Sequence, residues 1–129
     1  MAETPLRSPL GRAIGLGSAK EGVEHWWRQR ITGLALVPLV FWFVVVAIEL
    51  IGADRTAFVA WVRNPIPAML LILLIAVSFY HAALGLQVVI EDYIHGETLR
   101  LTVLVTMRLL CVVFVLRGVL AVLKLALGA

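Results

Sequence analysis

The sequence predicts an all-α integral membrane protein with three transmembrane helices. Two observations carry this prediction. First, the 129 residues are 62% apolar and 15% charged, with a mean hydropathy of +1.02, which lies outside the range of soluble domains. Second, the apolar residues collect in three blocks, at about 31–51, 67–90 and 101–127. Each block is long enough to cross a hydrocarbon core of about 30 Å. Three segments cannot close a barrel, and unpaired backbone is costly in lipid, so the spans must be helical. This divides the chain into an N-terminal segment, 1–30, on the cytoplasmic side and a three-helix anchor domain, 31–129.

The N-terminal segment is polar and basic, with Gly11, Gly15, Gly17 and Gly22. It lacks the short apolar run and cleavage site of a secretory signal, and the first span reads as retained. Its arginines suit a transit peptide over residues 1–20, but Glu3 and a weak amphipathic pattern argue against one. Basic residues set the expected orientation. Arg7, Arg12, Lys20, Arg28 and Arg30 precede the first span, whereas the 52–66 loop carries only Arg55 and Arg63. The positive-inside rule places the N-terminus in the cytoplasm (or matrix) and the C-terminus outside. Trp26 and Trp27 then belong at the inner interface and Trp61 at the outer one. The formal net charge of +3 is spread along membrane flanks, which speaks for lipid and against nucleic acid as a partner.

Helix one contains Pro38, which removes one backbone hydrogen bond and is expected to bend the helix. Asn64-Pro65-Ile66-Pro67 reads as a turn that starts helix two. In helix three, Arg108 and Arg117 lie about 180° apart around the axis. Arg108 is expected to snorkel to the inner interface, with a salt bridge to Glu91 or Asp92 as a competing role, and Arg117 to the outer one, followed by Lys124. Cys111, the single cysteine, allows no internal disulfide and reads as a small buried hydrophobe.

Helix two carries the chemistry. At about 100° per residue, Ser78, His81, Gly85, Val88, Val89 and Asp92 form one stripe. His81 lies at mid-membrane depth, about 16 Å along the helix from Asp92. That offset matches the distance from bilayer centre to polar edge. Gly85, one turn on, opens space beside the imidazole for a close helix or a flat ligand. Four roles remain open for His81: a hydrogen bond to Ser78 or to Tyr80 of a neighbouring helix, a proton relay, a transition-metal ligand, or an axial ligand to haem. Metal sites want three or four ligands, and His25 and His95 belong near the interface. Haem needs one imidazole per helix, a gap for the macrocycle and a second ligand from a partner, and a lone central histidine fits it best. Arg28, Arg30, Thr32 and His25 at the mouth of helix one suit haem propionates, although a positive flank with tryptophans accounts for them equally well. Tyr93, next to Asp92, can offer its phenol to a quinone carbonyl or act as an interfacial anchor.

Two segments, Gly22–Thr32 (GVEHWWRQRIT) and His81–Tyr93 (HAALGLQVVIEDY), resemble the small hydrophobic membrane anchor of succinate dehydrogenase (succinate:quinone oxidoreductase, complex II). The likeness extends over nearly the whole chain in length, spans and orientation. It implies one b-type haem shared with a second membrane anchor subunit, each anchor giving one axial histidine, here His81. It implies that Tyr93 faces ubiquinone near the iron-sulfur subunit, that Asp92 helps hold that region, and that Arg30 lies near the propionates. Some relatives place a histidine or aspartate one position away from His25. Succinate would be oxidised in a flavoprotein subunit, and electrons would reach quinone at the bacterial inner membrane. The chain itself is expected to be non-catalytic. A cofactor-free structural or assembly subunit and the anchor of a related fumarate reductase are the alternatives.

Overall fold

The computed structural model describes residues 20–128, with side chains from residue 22 onward. Four helices make up this part: α1 (Lys20–Glu49), α2 (Arg55–Val62), α3 (Pro65–Tyr93) and α4 (Glu97–Leu127). α1, α3 and α4 are each long and apolar enough to cross a membrane. The expectations for residues 1–19, including the transit peptide, lie outside the described residues.

The expected spans are present but longer. α1 begins at Lys20 rather than at residue 31, because the polar residues ahead of the apolar block still favour helix. Glu24 and Arg28 form an i,i+4 ion pair there, which supports an exposed helical turn. Pro38 lies inside this helix. The expected 52–66 loop contains α2, whose start is set by Asp54. That carboxylate accepts a hydrogen bond of 2.8 Å from the Ala57 N–H, an N-cap that satisfies one free donor. α3 starts at Pro65, not residue 67, with proline in the first turn where no N–H is needed. The expected 91–100 loop shrinks to residues 94–96, because Glu91–Tyr93 and Glu97–Arg100 remain helical.

α3 is the central helix. It packs against α1 on one side and α4 on the other, while the backbones of α1 and α4 do not approach each other among the described residues. The α3–α4 seam is tight at Gly118, where an added Cβ would stand 3.0 Å from the Ile75 side chain. Phe79 and Phe114 stack in the same seam at 5.8 Å. Toward the far end, Val62, Ala68 and Val122 form a small buried cluster. Trp61 stacks on Trp42 there, joining α2 to α1 at 6.1 Å. Gly128 takes a left-handed conformation (φ 77°) and caps α4, as C-terminal glycines commonly do.

Few apolar side chains are buried, and large ones such as Leu34 and Phe41 are more than 70% exposed. Among the described residues no charged or polar residue is buried as a whole. An outward-facing apolar surface of this kind suits lipid tails or another membrane helix, not water.

Candidate functional site

His81 lies on the α1-facing side of α3, and both ring nitrogens are engaged by α1. Its Nδ1 is 2.9 Å from the Thr32 hydroxyl. That hydroxyl is also 2.8 Å from the Arg28 carbonyl and 3.1 Å from the Gln29 carbonyl. A hydroxyl has one proton, and the two carbonyls claim it, so the oxygen accepts from His81 Nδ1–H. This assigns the proton to Nδ1 and leaves Nε2 with its lone pair, an assignment made from the hydrogen-bond network. The Gln29 amide nitrogen, 3.3 Å from Nε2, donates to that lone pair. Gln29 Oε1 is buried without a partner among the described residues.

Glycine is what allows the helices this close. A Cβ on Gly33 would stand 3.3 Å from His81 Cε1. A Cβ on Gly85 would stand 3.5 Å from the Gln29 amide nitrogen. The space expected beside the imidazole at Gly85 is thus taken by Gln29, and the residue bare against the ring is Gly33. The expected hydrogen-bond partners of His81, Ser78 and Tyr80, also give way to Thr32 and Gln29. Ser78 shares the helix of His81, whereas Thr32 and Gln29 reach it from α1.

Beside His81 opens an apolar groove of about 620 Å³, lined by Gly33, Leu36, Val37, Val40, Phe41 and Val44 of α1. Helical geometry places Trp26 and Arg30 within about 60° of Gly33 around α1, on the face of this groove. The Arg30 guanidinium lies 4.3 Å from the Trp26 ring centre, a cation–π contact that holds it on that face.

The expected cluster of Arg28, Arg30, Thr32 and His25 therefore divides. Thr32 meets His81 and Arg30 shares the groove face. His25 and Arg28 turn to a second cavity, a cleft of about 780 Å³ between α1 and α4 across α3. Arg108 does not meet Glu91 or Asp92 directly. It donates to Gln87 Oε1 at 2.8 Å, and Gln87 donates to Glu91 at 2.8 Å. The neutral amide of Gln87, one turn before Glu91 on α3, is the group that the Arg108 guanidinium reaches. Asp92 is exposed, and Tyr93 is 81% exposed at the end of α3. Sequence reasoning does not single out Gln29, Gly33 or Gln87. The visible signal for the first two is the polar-small stripe Gln29, Thr32, Gly33 at i, i+3, i+4.

Three long apolar helices, with a histidine clasped between two of them beside an apolar groove, define a small multi-pass membrane protein with a candidate cofactor face. The chain belongs to the succinate dehydrogenase/fumarate reductase transmembrane subunit family, whose model matches residues 4–116. It is 33% identical over 117 residues to the succinate dehydrogenase hydrophobic membrane anchor subunit of Rickettsia conorii, covering 90% of this chain and 93% of that one. The corresponding protein of Rickettsia bellii is 34% identical, with 91% and 94% covered. That of Paracoccus denitrificans is 34% identical, with 70% of each chain covered. No solved structure matches significantly. The chain is a multi-pass bacterial inner-membrane protein and a non-catalytic subunit of an oxidoreductase complex.

Proposed function

We propose that this chain anchors a succinate dehydrogenase to the membrane, holds one side of a b-type haem through His81, and forms part of a ubiquinone site around Tyr93. The single observation that carries the reading is the placement of His81, with Nδ1 2.9 Å from the Thr32 hydroxyl and an apolar groove beside the ring. An imidazole that donates from Nδ1 and keeps its lone pair on Nε2 is in the tautomer an axial ligand needs, and a fixed second hydrogen bond is what such ligands usually carry. The adjoining groove offers apolar walls to a macrocycle, and Arg30 is the cation placed to meet a propionate from the same face. When bound, the haem supplies a one-electron redox centre. Gln29 must yield Nε2 for the ligand to bind, and its unpartnered Oε1 fits a side chain set for a second position.

The second axial ligand would come from a second membrane anchor seated over the groove. Flavoprotein and iron-sulfur subunits would dock at the N-terminal side of α1, the side expected in the cytoplasm from its excess of basic residues. Tyr93 is exposed on that side and free to donate to a quinone carbonyl, with Asp92 beside it. Gly85 serves by admitting Gln29, and Ser78 has a place in helix packing. The test is haem stoichiometry: about one haem per assembled complex is expected, and none in complex assembled without this chain.

One observation favours a second reading. Both nitrogens of His81 are already engaged, so the residue can also act as a clip between α1 and α3 in a cofactor-free anchor. Thr32→Val separates the two readings. On the haem reading the variant keeps an intact anchor but retains haem about 10–100-fold more weakly, the usual effect of losing such a partner. Thr32→Ser restores retention. For the quinone contact, Tyr93→Phe is expected to slow quinone reduction about tenfold, the worth of one hydrogen bond made in the transition state. Reduction of an artificial dye by the soluble subunits should be unchanged; an equal loss in both assays would remove Tyr93 from the quinone site.

A further inference from the structure

We propose that the cleft between α1 and α4 is a binding site for one anionic phospholipid of the inner leaflet. The cleft is polar at one end and apolar at the other. Glu24, His25 and Arg28 of α1 meet Gln87 and Arg108 at the polar end. The rest is a slot floored by Ala76, Tyr80 and Ala83 and walled by Val112, Val115 and Leu116. From Ala76 to Gln87 is about 16 Å along the helix, close to half the thickness of a hydrocarbon core. The slot is thus one leaflet deep, which suits an acyl chain. A transmembrane helix, about 10–12 Å across, would have to continue past the point where the cleft ends.

Charge selects the headgroup. Arg28 is matched by Glu24. Arg108 touches the neutral Gln87, and Glu91 is reached only through that amide. One guanidinium therefore lacks a contacting carboxylate among the described residues. His25 Nε2 is buried in the same neighbourhood without a hydrogen-bond partner among them. A phosphate oxygen would satisfy both. Basic pockets between membrane helices on the cytoplasmic side bind lipid headgroups in this way.

Position selects lipid over the partner anchor. Glu24 and Arg28 lie about 140° to 180° around α1 from Gly33. The groove beside His81 and the cleft therefore open on different faces of α1. A partner anchor seated over the groove leaves the cleft to the bilayer. That argument rests on the haem-anchor reading; the amphipathic shape and the charge do not.

The test uses the whole complex, delipidated in mild detergent and returned to nanodiscs of phosphatidylcholine with trace phosphatidylglycerol carrying a mid-chain diazirine. After illumination, adducts are expected on the slot residues of α3 and α4. Arg108→Gln should reduce them on the order of fivefold, the worth of one cation near an anionic headgroup. Ala83→Phe, which fills the slot, should abolish them while the complex stays assembled. Millimolar inorganic phosphate should not compete. Overturning results are adducts scattered over the lipid-facing surface, labelling of either variant equal to wild type, displacement by phosphate, or cross-linking of Cys111, which also lines the cleft, to another protein of the complex. Haem content is read on the same samples, so an absent haem would refute the haem-anchor reading while the adduct pattern still decides the lipid site.

Discussion

His81→Leu is expected to remove the low-spin haem signal from an assembled complex and lower its haem content to less than about a tenth of the wild-type value, as loss of an axial ligand requires. Leucine approximates the volume of imidazole but offers no lone pair. It also leaves the Thr32 oxygen and the Gln29 amide without their interhelical partner. Such bonds are worth about 1 kcal/mol each within a membrane, a modest part of the stability of a three-helix unit. The anchor should therefore still insert and assemble, and the haem should be what is lost. Immunoblots of the membrane fraction, read beside the visible spectrum, check both halves. Loss of the whole complex would instead assign His81 to folding.

Gly33→Leu is expected to have a comparable effect while leaving every proposed ligand in place. A Cβ at this position already stands 3.3 Å from His81 Cε1, and the further carbons of leucine would enter the groove beside the ring. Overpacking of this sort costs about 1–3 kcal/mol, and a ligand must be held to about 0.5 Å to function. Haem retention should fall about 10–100-fold, with part of the remainder high-spin. Gly33→Ala, which asks the ring to give a few tenths of an ångström, should lose much less. Equal retention in Gly33→Leu and wild type would mean that the groove does not house the macrocycle.

The three spans were legible because lipid solvation imposes a long apolar run on each. The helix ends were less so. Hydropathy marks where apolar residues stop, whereas α1 continues back to Lys20 with the Glu24–Arg28 ion pair on its surface, and Glu97–Arg100 continue as helix through their own propensity. α2 was hidden because its only strong start signal is Asp54, in a stretch too short to show a period. Within the site, the position of His81 inside the α3 span could be read from that helix alone. Its partners could not, because the register between α1 and α3 is a property of two helices. Gly85 therefore looked like the gap beside the imidazole, when it accommodates Gln29 and Gly33 meets the ring. Arg28 and His25 were grouped with Arg30 by nearness in sequence, yet successive residues turn about 100° apart on a helix and face different cavities.

The central claim is that His81 binds the haem iron, and imidazole rescue tests it most directly. His81→Gly leaves a ring-sized space beside Gly33 in which added imidazole can stand in for the lost side chain. The complex carrying this variant should show little low-spin haem until imidazole is added, and then regain the wild-type electron paramagnetic resonance signal. A full low-spin signal in His81→Gly without imidazole would show that the iron takes its ligand elsewhere, and His81 would be a clip between α1 and α3.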